Sequence, residues 1–470
     1  MKNNNAIQDC LCDFALPREV DFTQRRKDPN ESAKVLAFSP RAEDEEEFRT
    51  DAGPGVARAR RLLLCLDGVP FDVMREAKSR GLFDGFNAPS RLLSPFPTMT
   101  NIALSAMLKA SVPVGYESLY FDRNSRDLRG GVQKYIGRRT PEKIPSTYMD
   151  ELDYQEPLPF EYLVYFAPET IFRADMKRFR EKFGRAPQDR DYFAFLKGTD
   201  GLMHMRGKES LSVALESLDK LLTEVRSFSG DETEVMLFSD HGMNLEENRR
   251  VHLQTHLRRC GFQITNRLNG AGAKLQVVLP AFGLIGFAAL FCEEEVAEKL
   301  TDALVPLEGI DFSLYRDGEN VVGVKGWRGT ARIRRSERDG RTFYAYEQIE
   351  GDPLQLASIT ESLSADGLLD AEGFASDESW AARTGEHIYP DALDNLYTSI
   401  QKTRVRHPAD VLVSLKDGYY YGSTLFSRIV RLAATHGNAM RASTSAFLMS
   451  THREFPRHVR GSEAQPLLRE

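Results

Sequence analysis

Apolar positions along the chain fall into two rhythms. Continuous runs bounded by polar residues predict short buried strands at 62–66, 235–238 and 411–415. The first suits a parallel strand covered on both faces. Helical spacing predicts amphipathic helices carrying Val73, Met74 and Ala77, then Ile102, Leu104, Met107 and Leu108, then Leu211, Ala214, Leu215, Leu218, Leu221 and Leu222. A further helix opens at Tyr389-Pro390-Asp391-Ala392. Strands and helices in this order predict an α/β fold. Between about 300 and 390 the rhythm changes to β-like pieces at 320–324, 330–333 and 342–346, which predict a small strand-rich insertion. The longest apolar stretch, 275–292, is interrupted by Gln276, Pro280 and two glycines. A membrane span needs about 20 apolar residues without such breaks. Two buried strands joined by a turn at 280–283 are expected instead, with no transmembrane segment.

Composition changes the picture at the ends and in one interior stretch. Residues 1–57 are polar and contain the acidic run 43–47, which predicts an N-terminal arm. Residues 58–460 form the main domain and 461–470 a C-terminal tail. Within the domain, residues from about 120 to 190 are rich in Arg, Asp, Tyr and Pro and predict an inserted lid. Hydrophobic residues make up 41% and charged residues 28%, and the formal net charge is −7, a balance that disfavours nucleic acid as a partner. Five cysteines, an odd number, do not form a disulfide framework. Cys65 and Cys292 sit in apolar runs as free thiols, and the N-terminus lacks the apolar core of a signal peptide, so a cytoplasmic setting is expected.

Candidate chemistry collects where the strands stop. Asp67 follows the first run and Asp240-His241-Gly242 follows the run at 235–238. The carboxyl ends of strands are where open α/β sheets bind ligands. Asp200 and His204, four residues apart, share one helical face. Thr100 sits near a helix N-terminus, and Thr435-His436-Gly437 adds a third histidine. Singly, these read as a strand-end turn, a surface pair and an N-cap. Together they supply three aspartates, three histidines and a hydroxyl. That inventory fits two metal ions about 4 Å apart clamping a phosphoryl transfer, with the hydroxyl activated as nucleophile.

The strings Leu66-Asp67-Gly68, Phe96-Pro97-Thr98-Met99-Thr100, Asp200-Gly201-Leu202-Met203-His204, Ser239-Asp240-His241-Gly242-Met243 and Thr435-His436-Gly437 resemble, in wording and order, the alkaline phosphatase superfamily. The branch they resemble most is the type I phosphodiesterase/nucleotide pyrophosphatase group, which includes phosphonoacetate hydrolase. The resemblance implies an alkaline-phosphatase-like core of mostly parallel sheet flanked by helices, with inserted lid segments. It implies two zinc ions, or manganese in the same role: one held by Asp200, His204 and His436, the other by Asp67, Asp240, His241 and the Thr100 oxygen. Thr100 would attack phosphorus, giving a phosphothreonine that water then hydrolyses.

Two departures matter. The branch usually continues from the nucleophile as Thr-Phe-Pro-Asn, whose asparagine helps hold a phosphate oxygen; here that position is Ala103, and Asn101 is the candidate substitute. Thr98 is a rival nucleophile two residues away. A threonine argues against the phosphoglycerate mutase branch, which uses serine with manganese, and no sulfatase motif lies near this helix. His252 and His256 have metalloprotease spacing, but Leu253 stands where the base would be, so a solvated helix face is expected. His387, His407, His452 and His458 are expected at the surface, and Tyr116 and Phe121 in the core. The expected function is a two-metal phosphohydrolase acting on small phosphodiesters or pyrophosphates, with neither nucleic acid nor membrane as partner. The alternatives are a phosphonate or phosphomonoester hydrolase on the same site, or a non-catalytic scaffold that binds a phosphorylated ligand.

Overall fold

The computed structural model describes residues 61–131, 146–187, 189–230, 232–269 and 275–469. The expected arm at 1–57 and residues 132–145 of the expected lid lie outside them. A seven-stranded sheet runs in the order His458–Arg460, Ser90–Leu93, Ser445–Ser450, Glu234–Ser239, Arg61–Leu66, Tyr192–Leu196, Tyr154–Gln155. Only Ser445–Ser450 runs against its neighbours; the other pairings are parallel. The sheet is therefore mostly parallel, and helices cover both of its faces.

Alternation along Arg61–Leu66 explains why a continuous apolar run was needed. Leu62, Leu64 and Leu66 enter one core with the Lys208–Ser229 helix (Leu211, Leu215, Leu218), while Leu63 and Cys65 enter another with the Thr100–Met107 helix (Ala103, Leu104, Met107). Parallel strands buried on both faces must be apolar on both.

A second seven-stranded sheet is antiparallel throughout, in the order Phe287–Leu290, Val411–Leu415, Ile310–Arg316, Val321–Gly326, Gly329–Arg338, Arg341–Gly351, Ala375–Ser376. The strands at 310–376 thus share one sheet with two strands from outside that stretch. The apolar stretch 275–292 forms three strands where two were expected: Gln276–Val278, Leu284–Ile285 and Phe287–Leu290, each paired in a different sheet. The break is at Gly286, whose N–H donates to the His436 carbonyl at 2.6 Å. Among the described residues no helix is long and apolar enough to cross a membrane. Cys65 and Cys292 are buried free thiols.

The chain between Ser90–Leu93 and the Thr100–Met107 helix is held from a distance. Asn395, buried on the Ala392–Ser399 helix, accepts from the Phe96 N–H at 2.6 Å and donates to the Ser94 carbonyl at 3.2 Å. Its amide supplies both groups this extended segment cannot find locally. Replacing it strands two buried backbone groups. Asn395→Ala is expected to lower stability by roughly 2–4 kcal/mol, read as a shifted urea midpoint; an unchanged midpoint would mean the segment holds itself.

Candidate active site

Strand register brings the acidic residues together. Leu66 lies beside Leu196 on one side and Ser239 on the other, so the chain leaves the sheet at Asp67, Lys197 and Asp240 along one edge. Ser445–Ser450 runs the other way, so the segment leading into it, which carries His436, returns to the same edge. Asp200 and His204 follow on the Gly198–Arg206 helix. The turn after Asp67 depends on glycine: Gly68 has φ +75°, and a Cβ there would come within 3.0 Å of Asp200 Oδ1. Its N–H donates to Asp240 Oδ1 at 3.1 Å. Thr199 donates to the Asp67 carbonyl at 2.7 Å, tying the second strand end to the first.

Six of the expected ligands converge as two groups of three. The ligand atoms of Asp200, His204 and His436 lie within 4.8 Å of one another, as do those of Asp67, Asp240 and His241. All three imidazoles are fixed the same way. Nδ1 faces a backbone carbonyl in each: Ala434 at 2.8 Å for His204, Gly242 at 2.9 Å for His241, Thr98 at 2.6 Å for His436. A carbonyl can only accept, so Nδ1 carries the proton and Nε2 presents a lone pair. The Nε2 atoms face carboxylates: His204 is 3.3 Å and His436 3.8 Å from Asp200 Oδ1, and His241 is 3.4 Å from both Asp67 Oδ1 and Asp240 Oδ2.

The electrostatics are those of a site short of positive charge. Burial pushes the Asp67 carboxyl well above the usual carboxylate range, and Asp240 and Asp200 push it further. Burial raises Asp240 too, against the pull of His241. Burial alone would also raise Asp200, but His204, His436 and His241 outweigh it and hold that carboxyl below its ordinary value. Burial and the adjacent His241 ring, stacked at 4.0 Å, push His436 well below an ordinary imidazole. Asp200 Oδ1 and Asp240 Oδ2 are buried and accept no hydrogen bond. Buried polar atoms are almost always satisfied. Orphaned carboxylate oxygens beside oriented Nε2 atoms fit two divalent cations, and the mixed N/O donor set suits zinc.

Thr100 is the first residue of its helix rather than its N-cap; that place belongs to Met99. Its Oγ1 lies 3.4 Å from Asp67 Oδ1 and 3.4 Å from His241 Nε2. It lines a cavity of about 400 Å³ together with Asp67, Asp200, His204 and His436. Thr98, the rival, is buried: its Oγ1 accepts from the Gly437 N–H and its carbonyl holds His436. Asn101 also lines the cavity, with Nδ2 donating to the Gly115 carbonyl at 3.2 Å. Ala103 is fully buried in the core beneath, so no group at that position reaches substrate.

Elsewhere the histidines divide. His407 is buried, contrary to the surface expected: its ring stacks on Tyr120 at 5.7 Å and Nδ1 accepts from the Arg123 N–H. His252 and His452 are exposed. His256 packs back on its fold, with Nε2 at 2.6 Å from the Ala303 carbonyl. Tyr116 and Phe121 are core residues, although Tyr116 also touches the cavity.

Sequence reasoning missed Lys197, Glu161 and Glu117 in the cavity wall. Lys197 was within reach, since it ends an apolar run, 192–196, just as Asp67 and Asp240 do. Its ammonium pairs with Glu161. Glu117 had no local signal; its Oε1 accepts the Gly283 N–H at 2.7 Å, a partner 166 positions away.

No family model matches the chain, and no curated protein matches it. Among solved structures it is similar to human ectonucleotide pyrophosphatase/phosphodiesterase 5, at 12% identity over 87% of this chain and 93% of that one, with a TM-score of 0.45. It is also similar to the phosphonoacetate hydrolase of Sinorhizobium meliloti 1021, solved with phosphonoacetate, at 12% identity over 87% and 94%, with a TM-score of 0.43. An inactive variant of the murine phosphodiesterase 5, in complex with AMP, gives 10% identity, 87% and 94% coverage and a TM-score of 0.43. Likeness at this level carries no functional argument, so what the site does is read from its own atoms.

Burial pushes Glu117 from an ordinary 4.5 up to about 7. The folded chain then holds a proton that the unfolded chain has released. Stability from this group is intact below pH 4.5 and lost as pH rises through 7. Glu117→Gln keeps an acceptor for Gly283. It is expected to be more stable than the parent above pH 7, by on the order of 1–3 kcal/mol, with the gap closing below pH 4.5. Parallel melting curves that never separate would contradict the burial of this carboxyl.

Proposed function

We propose that this chain is a metal-dependent phosphoester hydrolase of the alkaline phosphatase superfamily, cleaving small phosphodiesters through a phosphothreonine on Thr100. The observation that carries the reading is the placement of Thr100 Oγ1, at 3.4 Å from Asp67 and His241, in a cavity that two three-residue ligand groups also reach. Asp200, His204 and His436 would hold one cation, and Asp67, Asp240 and His241 the other. Divalent cations bound there would supply Lewis-acid charge, making the threonine hydroxyl a nucleophile at neutral pH and offsetting charge on the phosphoryl group.

The protein's own groups do the rest. Thr100 Oγ1 donates toward Asp67 Oδ1 and so is already oriented with its lone pairs free. It forms a bond to phosphorus as the ester bond to the leaving alcohol breaks. Water then attacks the phosphothreonine, releasing phosphate and restoring the hydroxyl. The backbone N–H groups of Thr100 and Asn101 donate to nothing among the described residues, as expected for the first turn of a helix. They are suited to receive a phosphoryl oxygen, with the helix dipole behind them. This would take over the task of the asparagine that Ala103 replaces. The same Ala103 favours a second reading, a scaffold that holds metals and a phosphorylated ligand without turning it over.

Two results separate these. Thr100→Ala should abolish hydrolysis of bis(4-nitrophenyl) phosphate, by at least about 10³-fold given what an activated nucleophile contributes, while elemental analysis still finds two metals per chain. Residual activity near the parent level would remove Thr100 from the chemistry. Chelation with EDTA should silence the parent protein, and added zinc should restore it. Turnover that survives complete metal removal would end the two-metal reading.

A further inference from the structure

We propose that the cavity wall beyond Thr100 selects phosphoesters whose second substituent carries an ammonium group, a narrowing that rests on the hydrolase reading above. The argument begins with which charges the wall can offer. Among the described residues lining the cavity there is no arginine, and the single lysine, Lys197, has its ammonium paired with Glu161. A substrate with further phosphate groups would find no free cation outside the two metal groups. Extra negative charge would instead meet Glu117.

Glu117 is placed to do the opposite work. It lines the cavity and forms no ion pair among the described residues; its one hydrogen bond is the Gly283 N–H on Oε1. The segment that supplies this bond continues into Leu284, which packs in one cluster with Tyr165 and Phe426. Those two rings meet edge to face, 4.8 Å between centroids and 83° between planes, and both line the cavity. A carboxylate next to aromatic rings is the combination that receives an organic cation, the rings through their quadrupoles and the carboxylate through its charge. Burial holds Glu117 partly protonated for want of a partner, so an incoming ammonium would also favour its ionised form.

The test compares two esters of nearly equal shape on the full chain with zinc: 4-nitrophenyl phosphocholine and its uncharged isostere, 4-nitrophenyl 3,3-dimethylbutyl phosphate. The parent protein should favour the charged ester by about tenfold or more in kcat/KM. That ratio should fall toward one in Glu117→Gln and recover in part in Glu117→Asp. A ratio near one in the parent, or one that Glu117→Gln leaves unchanged, overturns the proposal. If neither ester nor any other is hydrolysed, the hydrolase reading has failed. The ammonium preference is then decided by calorimetric titration with phosphocholine and 3,3-dimethylbutyl phosphate, where equal affinities overturn it and a preference lost in Glu117→Gln upholds it.

Discussion

Three carboxylates, Asp67, Asp200 and Asp240, are gathered at one edge of a parallel sheet where solvent cannot neutralise them. Two of their oxygens accept no hydrogen bond. Buried charge of one sign is costly unless it is paired, and the histidines that face these oxygens have been fixed to present lone pairs, which bind cations without supplying charge. The arrangement is coherent only around metal ions. Much of the surrounding fold can be understood as keeping these groups in place: the Leu66 register aligns Asp67, Lys197 and Asp240, Gly68 lets the chain turn beneath Asp200, and three backbone carbonyls fix three imidazoles.

Thr100 is positioned by a second set of constraints that converge from far along the chain. Its helix is pinned to the sheet by Ala103, Leu104 and Met107, and the segment before it is gripped by Asn395 and, through Thr98, by the His436 loop. Thr98 thereby links the nucleophile's approach to a metal ligand. Movement of one would disturb the other, which couples the ligand site to the hydroxyl it serves.

The parts of this site that were legible in the sequence are those with a local signature. Asp67 and Asp240 stand where an apolar run stops, Asp200 and His204 share a helical face, and Ile102 and Leu104 mark the buried side of the Thr100 helix. The rest depends on contacts between distant segments. His407 looked like a surface residue beside Pro408, yet it is buried because Tyr120 stacks on it from nearly three hundred residues away. The stretch 275–292 reads as two strands because nothing local reveals that the His436 carbonyl interrupts it at Gly286. Glu117, Asn395, Tyr165 and Phe426 acquire meaning only from their partners.

The central claim, that the two groups of three are metal sites, is tested most directly by anomalous diffraction at the zinc edge from crystals grown with zinc. The account predicts two peaks, one within coordination distance of Asp200, His204 and His436 and the other of Asp67, Asp240 and His241. A map with no peak among these six residues, or with the imidazoles turned away from the carboxylates, would contradict it.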